Sequence, residues 1–140
     1  CTGFEIAHPF FDPSLIDFSA GPVPLYLKMI PEKHDNLYFI GLFQPLGCIW
    51  PSSALQSKIM ARRMAGLWNP PTDLGAAIRH ELDNPDIRQL DTPRHTITVD
   101  APLFRRRLLS ELPEHFIQPD PVNWTPPAQS SPSPSERAAS

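Results

Sequence analysis

The residues with the clearest chemical potential lie in one segment, residues 36–66, with the sequence NLYFIGLFQPLGCIWPSSALQSKIMARRMAG. In this segment, a loop that contains glycine leads directly into the start of a predicted helix. The first N–H groups of a helix have no partner within it and carry partial positive charge, so they can bind an anion or a carbonyl oxygen. In open α/β sheets, ligands occupy the crevice beyond the carboxyl ends of the strands. An ordinary strand-to-helix crossover without a ligand has the same pattern and stays equally open.

A strand and a loop must position this helix start. Residues 37–40 form an apolar run rich in aromatic and branched side chains, which predicts a strand covered on both faces in a parallel sheet. Gly41 ends this strand, and residues 44–47 (QPLG) predict a loop in which Gly47 permits unusual backbone angles. Residues 25–30 (LYLKMI) predict an earlier strand, and the short polar link between the two strands predicts a hairpin or a sheet insertion.

The helix has start and stop signals of its own. Ser53 and Gln56 have the spacing of a capping box, in which two side chains bind backbone N–H groups at the helix start. The predicted helix covers about residues 54–65. Gly66 follows at the position where a left-handed residue commonly ends a helix. We therefore expect the start of this helix to face the carboxyl end of the preceding strand.

Three further elements and a tail complete the predicted organisation. Thr72 or Asp73 is expected to cap a helix over about residues 74–82. The alternating segment 95–99 predicts a half-buried strand, and Asp100 with the nearby proline opens a last helix over about residues 103–112. The Pro- and Ser-rich residues 118–140 lack the apolar surface needed for folding, which predicts a disordered tail.

Composition disfavours several classes of protein. The chain has 140 residues, 41% of them hydrophobic, and a net charge of −3, which indicates one globular domain without general attraction to nucleic acid. We expect neither a membrane span nor a secretory leader, because no apolar run approaches the roughly 18 residues of a transmembrane helix. Cys1 and Cys48 form no disulfide framework and no metal-ligand spacing with the five histidines, so we expect no metal and a cytoplasmic location.

Neither the basic side chains nor the known catalytic motifs indicate a specific function. Arg105, Arg106 and Arg107 form the densest basic run, but successive residues on a helix point about 100° apart, which favours a solvated helix surface over a phosphate site. A second basic group lies on the central helix and has no preferred role: Lys58, Arg62 and Arg63. The sequence contains no nucleophilic-serine elbow, phosphate loop or paired-glycine dinucleotide fingerprint, so the catalytic residues stay unknown.

Three separated segments together resemble the carboxyl-terminal part of the flavin-containing monooxygenases. CTGF at residues 1–4 is similar to the family's second ATG motif, where the chain passes from the nicotinamide-nucleotide domain to the flavin domain. Residues 36–56 are similar to its strand, QP-x-G loop and P-x-x-E-L-Q helix start. RHTITVD at residues 94–100 resembles its late R-H-x-I-x-V-D segment. Their order and spacing make the resemblance specific over about residues 1–113.

The resemblance implies a particular architecture and chemistry. It implies an α/β, FAD- and NAD(P)-binding fold of two dinucleotide domains, of which residues 1–117 would form the carboxyl-terminal part of the flavin domain. In such proteins FAD is reduced by NADPH and reacts with dioxygen. A soft nucleophilic nitrogen or sulfur atom of a small molecule is then oxygenated, or a ketone in the Baeyer–Villiger relatives. The partner of this chain would be the missing N-terminal portion of the same polypeptide.

The resemblance also assigns candidate cofactor-binding residues. Two of them, Thr2 and Gly3, would lie at the domain junction. The others would lie near the flavin: Gly41, Gln44, Gly47, Ser53, Leu55 and Gln56. In this interpretation the start of the central helix faces the isoalloxazine ring, where its partial positive charge can stabilise reduced flavin.

Two departures from the family pattern leave alternatives open. Ala54 stands where the family usually has Glu, so any ion pair made by that Glu is missing, and the family's two upstream glycine-rich fingerprints are not in this sequence. We therefore expect an isolated fragment to be inactive. The alternative is a non-catalytic interaction module that retains part of the flavoprotein fold. A lipoprotein processed at Cys1 is disfavoured, because TGF predicts strand and turn rather than a flexible tether.

Overall fold

The structure, a computed structural model, describes residues 10–12, 23–85 and 97–114. The described part contains three helices and two small two-stranded sheets, which confirms a mixed α/β chain. The elements in chain order are β1 (Leu25–Tyr26), β2 (Ile30–Pro31), β3 (Gln44–Pro45), α1 (Trp50–Met64), α2 (Leu74–Asp83), β4 (Thr98–Val99) and α3 (Ala101–Leu109). The predicted turn at residues 1–4 and the predicted tail at residues 118–140 lie outside the described residues. The predicted boundary between the folded part and the tail, after residue 117, lies outside them as well.

The segment predicted as one strand over residues 25–30 is a hairpin. Strands β1 and β2 pair antiparallel, with Leu25 opposite Pro31 and Tyr26 opposite Ile30. Two successive residues of the connecting turn, at positions 27 and 28, have φ values of 53° and 54°. Positive φ at two successive positions is what a type I′ turn requires, and such a turn reverses the chain within the predicted strand. The prediction of a hairpin with residues 37–40 is therefore wrong.

Residues 37–40 form no strand in the described part of the chain, so the strand predicted there is also wrong. The Phe39 N–H donates to the Met29 carbonyl oxygen at 2.9 Å, but no ladder follows. Side chains alternate between two apolar clusters: Leu37 and Phe39 pack in a small one, while Tyr38 packs on the main core. Ile40 is 40% exposed. The apolar run thus results from packing of an extended segment on two sides, rather than from burial within a sheet.

The second sheet joins the loop before α1 to the segment before α3. Strands β3 and β4 are parallel, with Gln44 opposite Thr98 and Pro45 opposite Val99. The Gln44 N–H also donates to the carbonyl oxygen of residue 97 at 2.7 Å. The strand predicted over residues 95–99 is confirmed at its last two positions, whereas its first two lie outside the described residues. Part of the predicted QPLG loop is therefore fixed by parallel pairing.

Helix α1 begins earlier than the sequence pattern predicts. It starts at Trp50, with Pro51 in the first turn, where the missing N–H of proline costs no hydrogen bond. The predicted capping box is wrong, because Ser53 already lies within the helix and its hydroxyl donates to the Ile49 carbonyl oxygen at 3.2 Å. The predicted stop is confirmed. Gly66 has a φ of 69°, its N–H donates to the carbonyl of residue 63, and the next N–H donates to that of residue 62, as in a Schellman motif.

The other two helices have the caps that the sequence predicts. Asp73 accepts a hydrogen bond from the Ala76 N–H at 2.7 Å at the start of α2, and Asp100 accepts one from the Leu103 N–H at 2.9 Å at the start of α3. Helix α3 begins two residues before the predicted start. No helix among the described residues is long and apolar enough to cross a membrane.

The main core lies between the hairpin and the three helices. Helix α1 packs against α3, and the rings of Phe43 and Phe104 meet with centroids 4.8 Å apart at an angle of 56°. Phe43 comes from the segment before α1, so this contact anchors that segment on α3. The core consists of Tyr26, Leu27, Met29, Ile30, Phe43, Leu55, Ile59, Ile78, Val99, Phe104, Leu108 and Leu112.

Candidate functional site

The structure brings some of the predicted site residues together. Gly41, Ser53 and Gln56 meet where the loop reaches the second turn of α1: the Gly41 N–H donates to the Gln56 side chain, and a Cβ on Gly41 would lie 3.4 Å from the Ser53 hydroxyl oxygen. Gln44 and Gly47 lie farther along the loop and are exposed. Leu55 is buried on α1, and the two candidates at the domain junction, Thr2 and Gly3, lie outside the described residues. We call residues 41–49 the site loop.

Gln56 holds the first residue of the site loop. Its side chain is completely buried, and its Oε1 accepts a hydrogen bond from the Gly41 N–H at 2.9 Å. Its Nε2 donates to the Leu27 carbonyl oxygen, also at 2.9 Å. The capping role predicted for Gln56 is wrong because α1 starts six residues before it, which turns its side chain toward the core. A Gln on the buried stripe of a helix, beside Leu55 and Ile59, was the sequence signal for this role.

The middle of the site loop exposes apolar side chains. Leu46 is 91% exposed and Trp50, the first residue of α1, is 76% exposed. Gly47 has a φ of 120°, and a Cβ there would meet no atom within 4 Å. Cys48 is an exposed free thiol. Large exposed apolar side chains near one another in the sequence are candidates for a surface that another group covers, and a glycine without neighbours allows close approach to the backbone.

The start of α1 has no competing charge. Its N-cap, Ile49, makes no side-chain capping hydrogen bond, and the first turn contains no acidic residue. Ala54, which replaces the Glu expected from the family resemblance, is exposed. The partial positive charge of this helix end is therefore not offset within the first turn and is available to a polar atom of a ligand.

The arginines of α1 support the fold. The Arg63 guanidinium lies 3.1 Å from the Asp35 carboxylate and 5.7 Å from the centre of the Tyr38 ring. Arg62 donates to the Leu67 carbonyl oxygen at 2.9 Å, beside the Schellman motif. Both contacts lie at the carboxyl end of α1, where cationic side chains also interact favourably with the helix dipole. These two arginines therefore stabilise the end of α1 that is opposite to the site loop.

A network of charged and polar side chains lies on the other side of the hairpin. Arg107 is at its centre, donating to the Tyr26 hydroxyl oxygen at 2.7 Å and to the Glu111 carboxylate at 2.5 Å. The Tyr26 hydroxyl and the Trp68 indole N–H both donate to Glu111, at 2.9 and 3.1 Å. Arg107 also lies 3.8 Å from the Glu81 carboxylate. We call these residues the Arg107 network: Tyr26, Trp68, Glu81, Arg107 and Glu111.

The Arg107 network changes the interpretation of the basic run. Arg105 and Arg106 are exposed, as the solvated-surface prediction requires, whereas Arg107 is half-buried and bonded. Burial, and secondly the hydrogen bond to Glu111, raises the pKa of Tyr26 to about 12. The spacing of Arg107 and Glu111, four residues apart, was a signal that the sequence analysis missed.

A cleft adjoins the Arg107 network, but it does not match the size of a flavin. Its volume is about 150 Å³, and its lining includes Lys28, His80, Thr98 and Arg107. Pockets for cofactors and drug-sized ligands usually have about 300–1,000 Å³. None of the predicted site residues lines this cleft. Among the described residues, no group of three or more His, Cys, Asp or Glu side chains is placed to hold a metal ion.

Comparison with known proteins places the chain in a family. The family model for flavin-binding monooxygenase-like proteins matches residues 1–100. Flavin-containing monooxygenase 5 of Mus musculus is 35% identical over 103 residues, which cover 71% of this chain and 19% of the mouse protein. Flavin-containing monooxygenase 2 of Homo sapiens is 36% identical over 74 residues, or 51% of this chain and 14% of the human protein.

A third relative has a more specific name. Dimethylaniline monooxygenase (N-oxide-forming) 2 of Oryctolagus cuniculus is 37% identical over 73 residues, or 51% of this chain and 14% of the rabbit protein. The chain thus spans about a fifth of the length, or less, of the curated relatives that it matches. The site loop and the whole of α1 lie within the range of the family match, and the chain belongs to the flavin-binding monooxygenase-like family.

Proposed function

We propose that this chain supplies the carboxyl-terminal part of the flavin domain in an NADPH- and FAD-dependent monooxygenase. The observation that carries the proposal is the family match over residues 1–100, because it includes the site loop and α1 in one continuous range. The chain corresponds to about a fifth of the length of its relatives. We therefore assign the glycine-rich dinucleotide-binding motifs to sequence outside this chain.

The exposed groups of the site loop suit a flavin. The isoalloxazine ring is planar and largely apolar, with polar atoms at its edge. Leu46 and Trp50 offer exposed apolar surface, Gly47 leaves the backbone open, and the uncapped start of α1 offers N–H groups. FAD, when bound, supplies the redox chemistry, and the side chains of this segment would orient the ring and exclude water.

The predicted cofactor-binding residues then divide into two groups. Gly41, Gln44, Gly47 and Ser53 are exposed or half-buried and can border the ring directly. The other group, Leu55 and Gln56, is buried in the core and would act by holding the loop. Thr2 and Gly3 keep their proposed place at the domain junction.

We propose a small molecule with a soft nucleophilic nitrogen or sulfur atom as substrate. One relative is named for dimethylaniline and for formation of an N-oxide. For a tertiary amine, the balanced reaction consumes the amine, dioxygen, NADPH and one proton, and it yields the N-oxide, water and NADP⁺. One oxygen atom forms the new N–O bond, and the other leaves as water.

The proposal is tested on the complete reading frame that encodes this chain. We expect the purified protein to show flavin absorbance, NADPH-dependent uptake of dioxygen and formation of the N-oxide from N,N-dimethylaniline. Uptake without N-oxide would indicate a different soft nucleophile or a ketone, and alternative substrates would then be compared. A folded, colourless protein without dioxygen uptake would contradict the proposal and favour the non-catalytic interaction module.

A further inference from the structure

The hairpin turn between β1 and β2 has an unusual backbone. Leu27 and Lys28 have φ values of 53° and 54°, in the left-handed region that non-glycine residues seldom adopt. Such conformations persist where surrounding contacts hold them, and they concentrate near ligand sites and other functional segments. The contacts around Leu27 therefore show what depends on this turn.

Two helices hold the backbone of Leu27. Its N–H donates to the Glu81 carboxylate of α2 at 3.0 Å, and its carbonyl oxygen accepts from the Gln56 amide of α1 at 2.9 Å. The Leu27 side chain is itself buried, with 1% exposure. Both polar groups of this residue and its side chain are thus fixed, so the turn provides a rigid anchor point.

Gln56 transfers this rigidity to the site loop. Its amide nitrogen is bonded to the Leu27 carbonyl, and its amide oxygen accepts from the N–H of Gly41, which has a φ of 80°. Making both bonds requires a donor and an acceptor on one planar group. An amide satisfies this requirement, and a protonated carboxylic acid does too, but an ionised carboxylate cannot donate.

We propose that Gln56 is the positioning residue of the flavin-facing loop, fixing Gly41 against the hairpin turn so that the site loop meets its ligand in one geometry. The inference rests on the proposed function for the identity of the ligand. It rests on the buried hydrogen bonds of Gln56 for the positioning itself. Gln56 acts through Gly41 and is completely buried, so it does not touch the flavin.

The variant Gln56→Glu separates positioning from mere packing, because its shape is nearly unchanged and its hydrogen bonding depends on pH. Burial raises the pKa of a carboxyl group above its unfolded value of about 4.3. The folded state then binds the proton more tightly, so the loop contacts are retained below that value and lost as pH rises through the folded pKa. Glu81, bonded to the same turn, adds negative charge and acts in the same direction.

The experiment uses the complete reading frame with Gln56 unchanged, with Gln56→Glu and with the matched control Ile59→Val. Ile59 is also completely buried on α1, but its side chain has no polar contact with the loop. At pH 7 we expect backbone amide exchange in residues 38–45 to be about tenfold faster in Gln56→Glu, as for loss of one net hydrogen bond. The flavin absorbance spectrum and reduction potential should shift as well, and both changes should diminish at pH 5.

The control decides whether these shifts are specific. Ile59→Val should lower the resistance to urea without changing the flavin spectrum or potential. Equal spectral shifts in both variants, or unchanged loop exchange in Gln56→Glu, would overturn the inference. If Gln56→Glu does not fold at pH 7, purification at pH 5 followed by a pH jump keeps the comparison. A parent protein without flavin would refute the proposed function, and amide exchange alone would then decide the positioning role.

Discussion

The site loop and the Arg107 network hold their polar groups in opposite ways. At its Gly41 end the site loop is held by one neutral amide, Gln56, and the loop exposes Leu46 just before the exposed Trp50 of α1. The Arg107 network joins a guanidinium, two carboxylates, a phenol and an indole. The two regions meet at Leu27, whose N–H is bonded to Glu81 and whose carbonyl is bonded to Gln56.

The Arg107 network has a structural role, whereas the site loop has the features of a ligand-binding surface. The charges of the Arg107 network bond to one another, so the network's main role is to connect the hairpin, α2 and α3. In contrast, the site loop leaves the backbone of Gly47 and the side chain of Leu46 exposed, and the start of α1 has no side-chain cap. Dense charge in this chain therefore indicates structure, whereas the neutral loop has the properties of a binding surface.

The largest effect on stability is expected from the contact between the site loop and α3, the helix that carries Arg107. Phe43→Ala removes a ring of the site loop that is 2% exposed and packs on Phe104 of α3. We expect the free energy of unfolding in urea to fall by about 3 kcal/mol and bound flavin to be lost with it. Phe43→Leu, the volume-conserving control, should cost about 1 kcal/mol. A stable Phe43→Ala protein would show that the loop is not anchored on α3.

Arg107→Met should weaken the Arg107 network without affecting the site loop. It leaves the Glu81 and Glu111 carboxylates without their shared cation, so the free energy of unfolding should fall by about 2 kcal/mol, a value reduced by the partial exposure of Arg107. The flavin spectrum of the folded protein should not change. Arg107→Lys should recover part of the stability, because an ammonium cannot reproduce all the guanidinium contacts. A changed flavin spectrum at unchanged stability would reverse the roles of the two regions.

Gly41→Ala should affect the site loop more than the fold. Its φ of 80° is unfavourable for alanine, and the added Cβ would lie 3.4 Å from the Ser53 hydroxyl oxygen. We expect a loss of about 1 kcal/mol in urea unfolding, with weaker flavin binding. Gly66→Ala, at the opposite end of α1 with a φ of 69° and no neighbour within 4 Å, is the matched control. It should cost a similar amount of stability, and weaker flavin binding in both variants would argue against a special role for Gly41.

The smallest effect is expected from the Tyr26 hydroxyl and appears at high pH. The folded protein raises its pKa from 10.0 to about 12, so the folded state holds this proton more tightly than the unfolded chain. Its contribution to stability is complete below pH 10 and is lost as the pH rises toward about 12. In urea unfolding between pH 8 and pH 11, Tyr26→Phe should therefore show a shallower loss of stability than the parent. Parallel curves would indicate that folding does not raise the pKa of the Tyr26 hydroxyl.

Local signals predicted three helix ends correctly, whereas the predicted start of α1 was wrong. Asp73, Asp100 and Gly66 satisfy backbone groups within their own helix turn, so their roles follow from a few neighbouring residues. The family resemblance rests on the residues of three segments, 1–4, 36–56 and 94–100, and the family match confirms the family.

Contacts between distant residues could not be predicted in the same way. The roles of Gln56 and Arg107 depend on partners 29 and 81 residues away, at Leu27 and Tyr26. Residues 37–40 are apolar because they pack in two clusters, which a periodicity argument cannot distinguish from a buried strand. The sequence thus predicted a candidate site, while packing determined which residues hold its loop.

The most direct measurement is the alkylation rate of Cys48, an exposed thiol within the site loop. In the complete protein, iodoacetamide labelling of Cys48 is compared with and without FAD by peptide mass spectrometry. A cysteine at exposed Ser110, beside Arg107, introduced as Ser110→Cys, provides the matched control. If the site loop borders the flavin, FAD should slow labelling of Cys48 in proportion to its occupancy and leave position 110 unchanged. Equal labelling of Cys48 with and without bound FAD would contradict a flavin-facing site loop.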